Sequence, residues 1–197
     1  MISRRAVMLA LLAAPAAADA RQIVPFNLLV ARGAEARTLK AEIYDPAYVR
    51  IAYPMGDVAD GRGVCADTLI RAFRAGGVDL QQRVHEDMKR AFASYPKLWG
   101  LKHPDTNIDH RRVPNLERFF TRAGASLPVS DNSALYQPGD AVSWRIPGNL
   151  PHIGVVSTQK AANGTPLMVH NIGAGSRLED VLFAWKPVGW FRYRPLT

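Results

Sequence analysis

Apolar side chains recur every three or four positions through the first two thirds of the chain and at every second position through the last third. The first pattern predicts helices and the second predicts strands. From residue 26 to 42 breakers are scarce apart from Gly33, and Leu28, Leu29, Ala31, Ala34, Leu39 and Ile43 give a loose helical repeat. Tyr44-Asp45-Pro46 stops that helix, Tyr48 to Tyr53 can run extended, and Pro54-Met55-Gly56-Asp57 makes a turn. A second helix begins at Cys65 and runs to about Ala75, with Leu69, Ile70, Ala72 and Phe73 on its apolar side and Gly76-Gly77 after it. A third fits Asp79 to Tyr95, where Asp79 can cap and Leu80, Val84, Met88 and Phe92 repeat every four residues. His85 lies one position off that stripe. Periodicity vanishes from Pro96 to Pro114, then Asn115 to Ala123 reads as a short helix with Leu116, Phe119 and Phe120 inward and Gly124 as its cap.

After Pro138-Gly139 the period becomes two. Residues 140–146, 152–158, 166–170 and 188–194 read as strands joined by turns rich in Gly, Pro and Asn. Helices followed by an antiparallel sheet of about four to five strands describe an α+β domain. The 197 residues, 48% hydrophobic, suit one such domain with its own core, and no internal repeat is visible.

The first twenty residues differ from the rest. Met1-Ile2-Ser3-Arg4-Arg5 is a short basic start, Ala6 to Ala18 is apolar apart from Pro15, and Ala18-Asp19-Ala20 fits a small-x-small cleavage site. This predicts a signal peptide over 1–20 and a mature domain over 21–197, with 21–43 as an N-terminal helical extension in a periplasmic or secreted protein. The apolar run of 13 residues is shorter than the roughly 20 that span a bilayer, so no stable membrane span is expected after cleavage. Arg4-Arg5 also fits a twin-arginine signal, and the export route stays open.

Export changes the reading of Cys65, the single cysteine. It cannot belong to an internal disulfide framework, so it is either buried and inert or used. The whole chain carries a net charge of +8, and the mature part keeps 23 basic against 16 acidic residues, or +7. Such a protein is attracted to polyanions, here wall polymers or lipid head groups. Nucleic acid is not an expected partner, because no phosphate-gripping motif or basic-aromatic array appears. The same charge also serves simply to keep a protein soluble.

Gly61-Arg62-Gly63-Val64-Cys65 places the thiol in the first turn of a helix, where unpaired amides and the positive dipole end favour a thiolate. Free cysteines are also packed as small hydrophobes. Two histidines on consecutive strands supply what a cysteine nucleophile lacks. A hairpin closing around Ala161 to Gly164 sets His152 beside His170. By alternation His152, Gly154 and Val156 share a face on which the Cys65 helix can pack, with His152 as base and His170 orienting its ring. The irregular segment concentrates His103, Asp105, Asn107, Asp109, His110, Arg111 and Arg112, as either a functional loop or a salt-bridged brace. His103, Asp105, Asp109 and His110 lack the compact spacing of zinc motifs, so no metal and no cofactor are expected.

Tyr53, Cys65 at a helix start, Gly139-Asp140-Ala-Val-Ser-Trp144, Pro151-His152-Ile-Gly-Val-Val156 and Met168-Val-His170 together resemble the NlpC/p60-type, papain-like cysteine peptidases. That resemblance implies a papain-like (NlpC-type) fold with helices packed on the sheet. It also implies Cys65 as nucleophile, His152 as base, His170 as orienting residue, and Tyr53 with the Cys65 amide near the oxyanion. Here Val64 and Ala66-Asp67 stand where aspartate before the cysteine and serine-glycine after it are usual. The chain from about Tyr44 to Tyr193 more closely resembles the bacterial family called domain of unknown function 1287. The phrases that carry this are Tyr53-Pro-Met-Gly-Asp57, Gly63-Val-Cys-Ala-Asp67, Val84-His-Glu-Asp-Met88, Pro104 to Asn115 and His170-Asn-Ile-Gly173.

The expectation is an exported, monomeric cysteine hydrolase that cleaves an amide bond in peptidoglycan stem peptides, as endopeptidase or amidase. Asp105, Asp109, His110, Arg111 and Arg112 are the candidates for substrate contacts, because stem peptides offer amines and carboxylates for pairing. The alternatives are a wall- or partner-binding module without turnover, or an acyltransferase using the same three side chains.

Overall fold

Phe26–Arg37 forms the first helix, α1. It stops five residues short of the predicted end because the N–H and the hydroxyl of Thr38 both turn back onto the Glu35 carbonyl, leaving Leu39 in solvent. The computed structural model describes residues 24–195, so the expectation of a signal peptide over 1–20 falls outside the described residues. Helix α2 (Cys65–Ala75) has the predicted bounds, and its strongly amphipathic sequence buries Leu69, Ile70, Ala72 and Phe73. α1 packs on α2 at a distance that Gly33 permits, since a Cβ there would sit 2.5 Å from the Ala75 Cβ. Helix α3 (Leu80–Ala91) is capped as expected, with the Asp79 carboxylate accepting from the Gln81 N–H at 3.2 Å, and ends in a 3-10 turn over Phe92–Ser94. Helix α4 (Val113–Arg122) starts two residues earlier than predicted, with Pro114 in its first turn, where a missing N–H costs nothing.

Two short strands, β1 (Ile43–Tyr44) and β2 (Arg62–Gly63), pair in parallel. The main sheet comprises β3 (Ser126–Leu127), β4 (Ala141–Ile146), β5 (Leu150–Lys160), β6 (Pro166–Asn171), β7 (Ser176–Glu179) and β8 (Pro187–Phe191). Its six strands lie in the order β3-β8-β4-β5-β6-β7, and every adjacent pair is antiparallel. Over the described residues the chain is therefore a mixed α+β fold with four α-helices and a six-stranded sheet. The β5–β6 hairpin closes where predicted, with Ala161 and Thr165 bonded at its mouth. The Gly139-Asp140 pair has a structural task. The Asp140 carboxylate, almost fully buried, accepts from the Trp190 indole at 2.7 Å, from Arg192 at 2.8 Å and from the Gln137 N–H at 2.9 Å, tying the start of β4 to β8.

Each sheet face builds its own apolar layer. Ala141, Ile153, Val155, Val169 and Phe191 meet Cys65, Leu69, Phe73 and Phe120 on the helical side. Val142, Trp144, Val156, Met168 and Trp190 meet Tyr136 and Leu182 on the other. This corrects the packing inferred from alternation. α2 lies on the odd-numbered face of β5, through Ile153 and Val155, and the His152, Gly154, Val156 face turns into the second layer. The branched side chains of the odd face offer a helix far more apolar area than a row containing His and Gly.

Candidate active site

Cys65 begins α2 directly after β2, and the β1–β2 pairing sets Tyr44 opposite Gly63. The turn is braced from inside. Asp67 Oδ2 accepts from the Val64 N–H at 2.7 Å, and the same carboxylate takes two bonds from Arg111, Nε to Oδ1 at 2.8 Å and Nη2 to Oδ2 at 3.0 Å. The remaining Arg111 donors reach the Ala47 and Asp45 carbonyls at 2.9 and 3.1 Å. The buried Asp67–Arg111 pair thus locks the start of α2 to the segment after β1. It also offsets the charge Asp67 brings close to the thiol.

The thiol is 5% exposed. The backbone N–H groups of Ile153 and Ala66 act on its sulfur, which meets β5 just beyond the last β5–β6 pair, Val155–Val169. These donors favour a thiolate, but burial outweighs them and pushes the thiol up from 9.0 to about 11, with Asp67 adding in the same direction. At neutral pH Cys65 is a protonated thiol.

Adjacent to Ile153 is His152, buried on the second face, where its ring stacks against Trp144 with centroids 5.8 Å apart. His152 Nε2 lies 2.9 Å from His170 Nδ1, and His170 Nε2 lies 2.9 Å from Glu179 Oε2. Trp185 packs edge-on against both imidazoles. Gly154 leaves the room they need. It is opposite His170 by the register of β5 and β6, and a Cβ on it would stand 3.1 Å from the His170 Cβ. Burial, reinforced by the neighbouring His170, lowers His152 from 6.5 to about 3, and burial also lowers His170 despite Glu179. Both rings are neutral at pH 7.

An open cleft of about 400 Å³ exposes one side of this arrangement, lined by Cys65, Tyr44, Tyr48, Trp99, Arg112 and Pro151. Arg112 lies over the Trp99 ring, 4.2 Å from its centroid, with Nη1 3.6 Å from Asp109 Oδ1 and no hydrogen-bond partner. Of the five candidates for substrate contacts, Arg111 and Arg112 line the cleft, and only Arg112 has no hydrogen bond to a neighbouring side chain. Asp109 and His110 are 1% and 2% exposed, Arg111 is consumed by Asp67, and Asp105 accepts from the Tyr48 hydroxyl at 3.1 Å and from Asn107. Burial raises Asp109 to about 6 and, with Arg74 and Arg111 nearby, lowers His110 to about 4. The segment from Pro96 to Pro114 is largely a brace, with one cation left for the cleft.

Tyr53 also moves. It stands edge-on to His85, with ring centroids 5.0 Å apart, and Tyr44 takes the place beside Cys65 because β1 pairs with the strand leading into the thiol. Burial, followed by the fields of Cys65 and Asp67, raises the Tyr44 hydroxyl, so it is protonated and able to donate. Glu179 and Trp185 join the histidines without having been anticipated. The available signal was the glycine-rich turn at 173–175, after which Ser176–Glu179 returns as the strand that closes a hairpin onto His170. Among the described residues no group of three or more His, Cys, Asp or Glu side chains is placed to hold a metal ion, and no helix is long and apolar enough to cross a membrane.

No solved structure matches the chain. The Escherichia coli (strain K12) protein "Uncharacterized protein YijF" is 57% identical to it over 167 residues, spanning 85% of this chain and 82% of its own. Residues 31–193 match the family described as "Domain of unknown function (DUF1287)", and the chain belongs to that family.

Proposed function

We propose that the chain is an exported cysteine hydrolase of the papain-like NlpC type that cleaves an amide bond in peptidoglycan stem peptides. The observation that carries this reading is the thiol of Cys65, at the start of α2 and next to the backbone of Ile153, the β5 residue that follows His152, whose Nε2 is bonded to His170. With the thiol held at about 11 and the imidazole at about 3, the two do not rest as an ion pair. In the proposed step the sulfur attacks the carbonyl as its proton passes to His152, which then protonates the leaving amine. Water releases the acyl group with His152 again accepting a proton. Tyr44 is the candidate donor to the oxyanion and Arg112 the candidate anchor for a carboxylate of the stem peptide. The basic mature sequence and the leader-like first twenty residues support a site of action at the wall.

A second reading has its own support. A thiol buried to 5% exposure and shifted upward suits a wall-binding module without turnover. Incubating purified sacculi with the protein and with its Cys65→Ala and His152→Ala variants separates the two. The hydrolase reading expects soluble fragments from the unsubstituted protein alone, and equal release by all three, or release by none, overturns it.

A further inference from the structure

We propose that Glu179 is a positioning residue that polarises the two buried imidazoles in one direction, so that the Nδ1 lone pair of His152 is left free to take a proton. Its part in turnover rests on the hydrolase reading, whereas the direction of polarisation does not. An ionised carboxylate only accepts hydrogen bonds, so His170 Nε2, 2.9 Å from Glu179 Oε2, carries the hydrogen. A neutral His170 then presents a bare Nδ1, and His152 Nε2, 2.9 Å away, must donate to it. A neutral His152 with hydrogen on Nε2 has Nδ1 unprotonated, which is the form a general base requires. Direction is thus set at one end of a chain of three side chains and read out at the other.

The surroundings make Glu179 the controlling end. Both imidazoles are about 2% exposed or less and lie under Trp185, so water does not compete at the bond between His152 Nε2 and His170 Nδ1. Burial disfavours a second proton on either ring. Arg177, opposite His170 in the β6–β7 register, is exposed, and Glu179 is the charged side chain bonded to the relay. Glu179 itself sits on the edge strand β7 with its side chain 39% exposed, so replacing it leaves the core layers filled.

Nitrogen-15 NMR of the histidine rings, in the full protein at pH 7.5, reads the tautomers directly. Expected for the unsubstituted protein is hydrogen on Nε2 of both His152 and His170. Glu179→Gln keeps an acceptor oxygen and preserves that pattern. Glu179→Lys offers only donors, and moves the hydrogen to Nδ1 on both rings. Retained thermal midpoints confirm that both variants are folded. His152 carrying its hydrogen on Nδ1 in the unsubstituted protein, or a pattern unmoved in folded Glu179→Lys, overturns the proposal. On sacculi, Glu179→Lys lowers kcat by about a hundredfold or more with little change in KM, as wrong-tautomer enzymes do, and Glu179→Gln recovers most of the rate. Tautomers that switch as described in a protein without turnover remove the hydrolase reading and leave the polarised relay standing. Unequal tautomers with full turnover in Glu179→Lys remove the positioning role.

Discussion

A histidine in the brace illustrates how burial turns into pH dependence. His110 is held near 4 by burial and by Arg74 and Arg111, against an ordinary value of 6.5. The unfolded chain therefore binds a proton below about 6.5 that the folded chain refuses until about 4. Stability attributable to this residue is complete above 6.5 and lost as the pH falls through that window, by as much as about 3 kcal/mol. Asp109 works in the opposite sense. Its carboxyl is raised from 3.8 to about 6, so the folded state binds the extra proton and gains stability below 6. Thermal midpoints measured from pH 7 to pH 4 in His110→Gln should show a shallower acid decline than the unsubstituted protein, and a steeper one in Asp109→Asn. A single residue also shows the limit of spacing as a guide. Tyr53 stands twelve positions before Cys65, yet Tyr44, twenty-one before it, reaches the cleft. Chain separation did not reveal the parallel pairing of two-residue strands that carries Tyr44 there. Asp67–Arg111 presents the same case. Two charged residues 44 positions apart form a buried brace, and losing Arg111 leaves a buried carboxylate uncompensated, which costs about 3–5 kcal/mol.

Elements were legible in proportion to their length. α2 and α3 announced themselves through repeats over three turns and through Asp79 as cap, and β4, β5, β6 and β8 through alternation over five or more residues. β3, of two residues, and β7, of four, are too short to display a period, and with β7 went Glu179. Alternation did place His152, Gly154 and Val156 on one face, but periodicity alone does not say which face a helix will cover. Packing area decided that, through Ile153 and Val155. The hairpin nevertheless brought His152 to His170, as the spacing implied, in a diagonal cross-strand relation with Gly154 opposite His170. Gly154→Val tests this element. The added side chain meets the Val169 carbonyl at 3.0 Å, the His170 Cβ at 3.1 Å and Trp144 at 3.3 Å. Overpacking of this kind costs about 1–3 kcal/mol, read as a lower denaturant midpoint at unchanged slope, and the His152–His170 bond should separate in the ring nitrogen spectrum.

At the scale of the molecule the sheet is a partition. Cys65 belongs to the helical layer, the imidazoles pack against the tryptophan layer, and the two sets approach each other near the start of β5 through Ile153 and His152. The halves of the candidate site can therefore be perturbed separately. Trp185 packs against both imidazoles and Trp144 from the layer remote from α2. Trp185→Ala opens that side to water, relieves the burial that depresses the histidines, and moves their titration upward toward 6.5. The Cys65 environment keeps its N–H donors from Ile153 and Ala66, so the pH dependence of thiol alkylation should stay where it is in the unsubstituted protein. Histidine proton NMR titration and iodoacetamide kinetics on the same variant give the two readings side by side. A shift of the histidines with an unmoved thiol is the result expected of a partitioned site. Parallel movement of both means that the two layers respond as one unit, and the sheet is then a conduit between them.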